Sequence, residues 1–250
     1  MKDIVFASDL DNTLLYSRRH RREGDVCVEH LAGEEQGFMT PIAIERLRAV
    51  TKKALFIPVT TRSIEQYRRI EWPAGTEPEY AVTTNGAVLL KRGEIDTAWQ
   101  AAHTALIAPA RDEVERCHAL YVDDPAFIRC RIVDGAYLFV YCADGIDAAA
   151  AAARCQEQTS LRVEPSGRKI YFFPPKLTKG AALCALRERF TPHLIYAAGD
   201  TAIDLPLLMA ADHAFAAASL PLENAPHIRR HTGEGIFAEW LLAEILQELS

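Results

Sequence analysis

The stretch that decides the fold is Ile4-Val5-Phe6-Ala7-Ser8-Asp9-Leu10-Asp11-Asn12-Thr13, in which an uncharged run leads into two aspartates. A short apolar run of this kind is typical of a strand covered on both faces, as in a parallel sheet. The two acids stand where the strand ends, and side chains two residues apart point the same way. Such a pair can share a metal ion and a reacting group. The alternative is a turn that caps the next helix, and the stretch alone leaves both open.

Three further apolar runs end in small or polar residues. They are 54–59 before Thr60, 80–82 before Thr83 and Asn85, and 194–198 before Gly199 and Asp200. Helical patterns lie between the runs, over 41–50, 63–71 and 179–190. Strands that alternate with helices predict an α/β fold with a doubly wound, mainly parallel sheet. Ligands of such sheets bind beyond the carboxyl ends of the strands, so we expect the polar strand endings to lie together.

The middle of the chain follows a different order. A helix is expected over 109–121 and another over 146–158, and two strands follow each of them, at 127–133 and 136–142, then at 161–164 and 168–173. Asp134-Gly135 is a strong signal for a two-residue hairpin. Two helix–strand–strand units predict a small α+β domain inserted into the core. We place the core at residues 1–86 and 175–250 and the inserted domain at residues 87–174.

Composition limits the classes of function. The 250 residues carry 28 Lys and Arg against 34 Asp and Glu, a formal net charge of −6, which argues against nucleic acid or an anionic membrane as partner. No apolar run approaches the roughly 18–20 residues that span a bilayer, and Asp9 interrupts the first run before a signal-peptide core develops. The six scattered cysteines predict reduced thiols. We expect a cytoplasmic protein, monomeric or a small homo-oligomer.

Four motifs follow one another along the chain. They are Asp9 to Thr13, Thr60-Thr61-Arg62-Ser63, Leu177-Thr178-Lys179-Gly180-Ala181, and Gly199-Asp200-Thr201-Ala202-Ile203-Asp204. As a set they resemble the haloacid dehalogenase superfamily, in its phosphatase branch with a large cap of the second type (Cof-like and sucrose-phosphatase-like proteins). Asn85-Gly86 matches the turn after the third core strand of this branch, and the inserted domain lies where its cap is expected.

The hairpin expected between Asp25 and Thr40 matches the flap that follows the first motif in this superfamily. It is long here. Its length, together with Phe38-Met39-Thr40-Pro41, gives a weaker resemblance to phosphatase-like proteins encoded with bacterial tellurite-resistance clusters.

The resemblance implies a role for each matched residue. Asp9 would be the nucleophile that becomes an aspartyl-phosphate, and Asp11 would be the general acid and then the base. Thr60 would donate to a phosphoryl oxygen, and Lys179 would pair with that group and with Asp9. Other substrate-binding positions would be Thr13, Thr61, Arg62, Asn85 and Gly86. Mg²⁺ would be held by Asp9, Asp11, Asp200 and Asp204.

The implied function is Mg²⁺-dependent hydrolysis of a small phosphorylated metabolite, a sugar phosphate or a nucleotide-like compound. A phosphomutase with the same core and cap, and a phosphate-sensing protein without turnover, are the alternatives. Thr61 and Ile203 depart from the family pattern, which usually has Gly and Asn there. Thr61 would narrow the space beside the phosphate, and Ile203 removes an amide that often braces the last aspartate.

Two basic features stay open. Lys176 stands three residues before Lys179 and competes with it for the lysine role. The run Arg18-Arg19-His20-Arg21-Arg22 is either a solvated surface or a rim that attracts anions to the entrance.

Overall fold

The computed structural model describes residues 2–222 and 225–250. The strands of the described residues are β1 (Ile4–Ser8), β2 (Tyr16–Ser17), β3 (Val26–Leu31), β4 (Glu34–Met39), β5 (Leu55–Pro58), β6 (Tyr80–Thr83), β7 (Val88–Lys91), β8 (Glu94–Ile95), β9 (Phe127–Val133), β10 (Tyr137–Cys142), β11 (Arg162–Ser166), β12 (Lys169–Phe173), β13 (Leu194–Gly199), β14 (His213–Ala216) and β15 (Ile228–Arg230). The α-helices are α1 (Pro41–Lys53), α2 (Ile64–Arg68), α3 (Thr97–Ile107), α4 (Arg111–Tyr121), α5 (Ala148–Gln156), α6 (Lys179–Phe190), α7 (Leu205–Ala210) and α8 (Phe237–Glu248). Short 3₁₀ helices span Arg18–His20, Thr84–Gly86, Ala108–Ala110 and Ala202–Asp204.

The central sheet has the strand order β15-β14-β13-β1-β5, and all of its neighbours are parallel. A parallel bridge between Val59 and Val82 adds β6 beside β5, and Thr60 N donates to Val82 O at 2.9 Å. Strands β7 and β8 then continue the sheet in antiparallel pairing. The predicted α/β fold with a mainly parallel sheet is confirmed.

Strand β1 explains why this sheet is covered on both faces. Its side chains alternate between the two faces, because successive residues of a strand point in opposite directions. Phe6 packs in the cluster that contains Leu47 of α1 and Leu241 of α8. Val5 packs in the opposite cluster, with Leu183 of α6. The doubly wound arrangement therefore follows from an apolar strand that has no polar face.

The inserted unit is a four-stranded antiparallel sheet of order β11-β12-β10-β9, with α4 and α5 on one face. It has a hydrophobic cluster of its own, which includes Cys117, Leu138 and Phe172. Asp134 and Gly135 both have positive φ, 45° and 71°, and Ala136 N donates to Val133 O at 2.8 Å, so the chain turns where the sequence predicts. The strands pair Val133 with Tyr137, so the connection has three residues, 134–136, and not the two that were predicted. The two helix–strand–strand units are confirmed, and we call this unit (α4 to β12) the cap.

The segment between β6 and α4 packs with the parallel sheet. Strand β7 pairs with β6, and Trp99 of α3 is buried in the cluster that contains Val5. The indole Nε1 of Trp99 donates to Gly86 O at 3.0 Å. The domain boundary at residue 87 stays a prediction, and this packing favours a later start of the cap, after Ile107.

The open face of the cap sheet lies against the carboxyl ends of the core strands. Asp134 in the β9–β10 turn accepts hydrogen bonds from the hydroxyl of Thr84 and from Ile64 N, the latter at 3.0 Å. The hydroxyl of Tyr137 donates to Thr61 O at 2.5 Å. The cap is therefore fastened to the loops that follow β5 and β6.

A third, small sheet of order β2-β4-β3 follows the first motif. Strands β3 and β4 form the antiparallel hairpin that the sequence predicts, which we call the flap.

The structure also bears on the expectations about membrane spans and cysteines. No helix in the described ranges combines the length and apolarity that crossing a membrane requires. All six cysteines are free.

The packing of β7 and α3 leads to a prediction about two deletions. Replacement of residues 111–173 by a short linker should leave a cooperatively folding core. Replacement of residues 87–174 should lower the free energy of unfolding by more than about 3 kcal/mol relative to the shorter deletion, because it also removes the buried Trp99 and the partner of β6. Chemical denaturation measures both. Equal stability of the two proteins would contradict the placement of β7 and α3 in the core.

Candidate active site

Three acidic side chains meet where the core strands end. Asp9 follows β1, Asp200 follows β13, and Asp204 closes the short 3₁₀ helix after it. One carboxylate oxygen from each of the three residues lies within 4.8 Å of the other two. The chain brings them together because β1 and β13 are neighbouring parallel strands whose carboxyl ends share one edge.

Lys179 supplies the positive charge of this cluster. It is the first residue of α6, which is capped by Thr178, whose hydroxyl accepts from Ala181 N at 3.0 Å. Its side chain is 1% exposed, and its ammonium donates to Asp9 and lies 2.5 Å from Asp204 Oδ1. Burial alone would lower the pKa of Lys179, but the Asp204 and Asp9 carboxylates outweigh it and hold that pKa above its usual value. The lysine therefore stays charged.

One lysine does not balance three carboxylates. Burial, together with the Asp204 and Asp11 carboxylates, raises the pKa of Asp9 to about 7 against the opposing effect of Lys179. Burial, together with the Asp9 and Asp204 carboxylates, raises the pKa of Asp200 to about 8. A dication would offset this excess of negative charge, and carboxylate oxygens are the donors that Mg²⁺ prefers. The donor set thus fits the expected metal.

Asp204 is the most fully hydrogen-bonded of the three acids. Its Oδ2 accepts from Thr201 N and Thr201 Oγ1, both at 3.0 Å, and from Asp200 N at 3.2 Å. Its Oδ1 accepts from Lys179. Thr201 therefore donates the hydrogen bonds to Asp204 that the side chain of Ile203 is unable to donate. Asp204 positions Lys179 and the Asp200 loop. Asp9 and Asp200 accept fewer hydrogen bonds than Asp204 and so have more lone pairs left for a cation.

Gly199 makes the approach of Asp204 possible. A Cβ at this position would lie 2.4 Å from Asp204 Cβ, closer than two such atoms can approach. The fourth motif therefore needs glycine for space.

Asp11 lies apart from this cluster, in a bidentate ion pair with Arg62. Arg62 Nη2 is 2.8 Å from Asp11 Oδ1, and Nε is 3.0 Å from Oδ2. Burial would raise the pKa of Asp11, but the guanidinium outweighs it and holds that pKa at about 2. Asp11 is thus a hydrogen-bond acceptor in this arrangement. The pair must open before Asp11 can donate a proton.

Glu29 of the flap belongs to the same network, and sequence reasoning missed it. Its side chain is buried. Its Oε2 accepts from Arg62 Nη2 at 2.9 Å, and its Oε1 accepts from Arg69 Nε at 3.1 Å. The β3–β4 register shifts on both sides of Glu29. Such an irregularity turns the side chain inward, and the sequence has no signal for it. Glu29 ties the flap to the loop after β5.

Other predicted site residues are buried beside the cluster. Thr60 is fully buried, and its hydroxyl accepts from Arg62 N at 3.1 Å. The hydroxyl of Thr13 donates to Asp9 Oδ2 at 3.4 Å. Asn85 is fully buried and donates from Nδ2 to Leu177 O at 3.2 Å. Gly86 packs so closely that a Cβ would lie 3.1 Å from Thr178 O. Asn85 and Gly86 thus position the loop before Lys179.

Two adjoining cavities lie between core, flap and cap. The smaller, of about 50 Å³, is lined by Asp9, Lys179 and Asp200. The larger, of about 450 Å³, extends beneath the open face of the cap sheet. Asp11, Thr61, Lys169 and Tyr171 line both cavities. The acidic cluster therefore opens into a space large enough for a small organic molecule.

The two basic features left open by the sequence lie outside these cavities. Lys176 is exposed, and Lys179 occupies the acidic cluster. Arg18 pairs with Glu34 at 3.0 Å and Arg21 pairs with Glu35 at 2.7 Å, both on the flap. The described side chains of Arg18–Arg22 do not line either cavity.

Comparison of the structure with known proteins identifies the fold. The sucrose-phosphatase of Synechocystis sp. PCC6803, solved with sucrose and phosphate, matches with a TM-score of 0.71 at 16% identity over 99% of this chain and 98% of that chain. The sugar phosphatase BT4131, of haloacid dehalogenase subclass IIB, matches with a TM-score of 0.65 at 12% identity over the whole of both chains. The phosphatase BT1666 of Bacteroides thetaiotaomicron matches with a TM-score of 0.60 at 16% identity, over 100% of this chain and 95% of that chain. No protein-family model and no curated protein sequence matches.

The fold and the site define an α/β protein with an acidic, lysine-containing centre beneath a cap. More particularly, the chain has the fold of the haloacid dehalogenase superfamily phosphatases, as the motifs predict. The weaker resemblance to proteins of tellurite-resistance clusters stays a prediction.

The buried lysine gives a stability prediction with a matched control. Lys179→Met leaves Asp9 and Asp204 buried without their cation, so the free energy of unfolding should fall by about 3–5 kcal/mol. Lys176→Met, three residues earlier and exposed, should change it by less than about 0.5 kcal/mol. Denaturation in the presence of a chelator measures both. Similar values for the two variants would contradict the burial of Lys179 in the acidic cluster.

Proposed function

We propose that this protein is a Mg²⁺-dependent phosphatase that hydrolyses a small phosphorylated metabolite through an aspartyl-phosphate on Asp9. The observation that carries the proposal is the pairing of Asp9 with the buried Lys179 in the smaller cavity, which opens into the larger one under the cap. A carboxylate is a weak nucleophile, and phosphoryl transfer tolerates one when fixed positive charge stabilises the phosphoryl oxygens.

In the first step an oxygen of Asp9 attacks phosphorus, and the bond from phosphorus to the leaving oxygen breaks. Asp11, once released from Arg62 and protonated, gives its proton to that oxygen, which departs as an alcohol. The hydroxyl of Thr60 accepts from Arg62 N and keeps its own proton for a phosphoryl oxygen. Lys179 offsets the charge on the transferring group.

In the second step Asp11 takes a proton from water as the water oxygen attacks the aspartyl-phosphate. The acyl–phosphate bond between phosphorus and Asp9 breaks, which releases inorganic phosphate and restores the carboxylate. The cap limits the access of bulk water through its contacts to Thr61, Thr84 and Ile64.

Asp9 and Asp200 would hold the Mg²⁺ ion, with Asp204 as their support and Asp11 contributing through its main-chain carbonyl, as the resemblance implies. When bound, the ion neutralises negative charge and allows one anion to attack another. The proposal also includes the cytoplasmic location expected from composition.

A phosphomutase is the alternative with the same chemistry in its first step. It would transfer the phosphoryl group to a second hydroxyl in place of water. A phosphate-sensing protein would bind without turnover. Incubation with sugar monophosphates separates the three: phosphate release indicates the phosphatase, isomerisation without release indicates the mutase, and binding without reaction indicates the sensor.

The nucleophile is tested with p-nitrophenyl phosphate in the presence of Mg²⁺. Asp9→Asn should lower kcat by at least about 1000-fold, because an amide does not attack phosphorus. Asp123→Asn on the exposed surface of the cap is the matched control and should keep wild-type turnover. Activity of Asp9→Asn within tenfold of wild type would contradict the aspartyl-phosphate mechanism.

The metal site is tested without turnover. Mg²⁺ should raise the Tm of the wild-type protein in a saturable way, because a ligand that binds only the folded state stabilises it. Asp200→Asn removes a proposed ligand and should abolish most of this shift, whereas Asp123→Asn should keep it. An equal Mg²⁺ shift in all three proteins would show that Asp200 is not a ligand.

A further inference from the structure

The roof of the larger cavity is the open face of the cap sheet. Strand register places Arg129, Tyr141 and Lys169 in one row across β9, β10 and β12. The next row contains Arg131, Phe139 and Tyr171. All six line the larger cavity. The roof therefore has a cationic edge on β9, aromatic rings in the middle, and a lysine at the β12 side.

The cations of this cavity differ in what neutralises them. Arg62 and Arg69 on the core side are paired with Asp11 and Glu29. Arg129, Arg131 and Lys169 have no carboxylate within 4.0 Å among residues 2–222 and 225–250. Arg131 instead donates to Gln66 Oε1 at 3.2 Å and lies 5.7 Å from the ring centre of Phe139.

The remaining charge on the wall does not cancel these cations. Glu65 is the other carboxylate that lines the cavity, and it is exposed and forms no ion pair with a described residue. Three cations thus face one free carboxylate, in a chain whose net charge is −6. By contrast, the exposed Arg18 and Arg21 are paired with acids of the flap. Three cations without an ion pair therefore lie together on the cavity roof, which favours an anionic ligand there.

The strand register also indicates the distance between the two ends of the cavity roof. Lys169 lines the smaller cavity as well, so it marks the phosphoryl end. Arg129 lies two strands away in the same row, which is on the order of 10 Å at the usual strand spacing. The rings of Phe139 and Tyr141 lie between them, on β10. Aromatic faces of this kind pack against sugar and base rings, so the intervening space suits a ring.

We propose that the substrate is a phosphate ester whose leaving group is a ring of sugar or nucleoside size bearing a second anionic group, which Arg129 and Arg131 bind. This inference rests on the proposed phosphatase function and names its substrate class. Arginine forks suit both carboxylate and phosphate, so either can be the second anion.

The test compares substrates that differ only in the second anion. Glucose 1-phosphate has a neutral leaving group, glucuronic acid 1-phosphate adds a carboxylate, and glucose 1,6-bisphosphate adds a phosphate. Adenosine 5′-phosphate and adenosine 3′,5′-bisphosphate form a second series. The wild-type kcat/KM should be at least tenfold higher for a substrate with a second anionic group than for the monophosphate of the same series. The preferred glucose derivative then shows whether the second anion is a carboxylate or a phosphate. No preference in either series would overturn the proposal.

The variants test which residues produce the preference. Arg129→Gln with Arg131→Gln should reduce it to less than threefold, whereas Arg129→Lys with Arg131→Lys should keep part of it. The control, Arg111→Gln with Arg154→Gln, changes net charge equally on the two exposed cap-helix arginines and should keep the preference. Equal preference in the two glutamine pairs would contradict the role of Arg129 and Arg131.

Binding separates this inference from the proposed function. Calorimetry with the Asp9→Asn protein needs no turnover, and glucose 1,6-bisphosphate should bind at least tenfold more tightly than glucose 1-phosphate. Adding Arg129→Gln and Arg131→Gln should remove most of that difference. If wild type fails to hydrolyse p-nitrophenyl phosphate but this difference is found, the phosphatase function fails and the anion site stands. If hydrolysis is found and the binding difference is absent, the anion site fails alone.

Discussion

The structure depends on one buried ionic contact, that of Lys179 with Asp9 and Asp204. Each partner comes from a different part of the chain: the end of β1, the start of α6 and the turn after β13. Burying these charges is tolerable only when all of them are present and hydrogen-bonded, because a single unpaired buried charge is strongly destabilising. Thr201 and the space left by Gly199 hold Asp204 in place. The contact therefore links the correct packing of the sheet to the geometry of the proposed reaction.

A second network joins the flap and the cap to this centre. Arg62 lies between Asp11 of the first motif and Glu29 of the flap, and the loop that carries Arg62 also receives the cap hydroxyl of Tyr137 at Thr61. Flap, cap and core thus meet at one loop after β5. In the proposed mechanism Arg62 must leave Asp11 before a proton is transferred, so rearrangement of this loop and acid catalysis are coupled. The cap supplies the aromatic and cationic roof under which the leaving group would lie.

Much of this architecture could be predicted from the sequence, because it depends on local patterns. The apolar run of β1 before Asp9, the helical patterns that become α1 and α6, and the Asp134-Gly135 turn are all local features of the sequence. The inward orientation of Glu29 could not be predicted, because it depends on an irregularity in the β3–β4 pairing. The pairing of Arg62 with Asp11 could not be predicted either, because it joins loops that meet only after folding. The same holds for the arginines of the cap roof. The run Arg18–Arg22 is conspicuous in the sequence, yet the arginines on the roof of the larger cavity are Arg129 and Arg131, two residues apart on β9.

The proposed mechanism requires that Asp9 becomes covalently phosphorylated. The most direct measurement is acid quenching of the wild-type protein during turnover of p-nitrophenyl phosphate with Mg²⁺, followed by borohydride reduction and peptide mass spectrometry. An aspartyl-phosphate is reduced to homoserine, whereas a free carboxylate is not. We predict homoserine at position 9, dependent on substrate. Continued turnover with unmodified Asp9, or reduction at another acid, would contradict it.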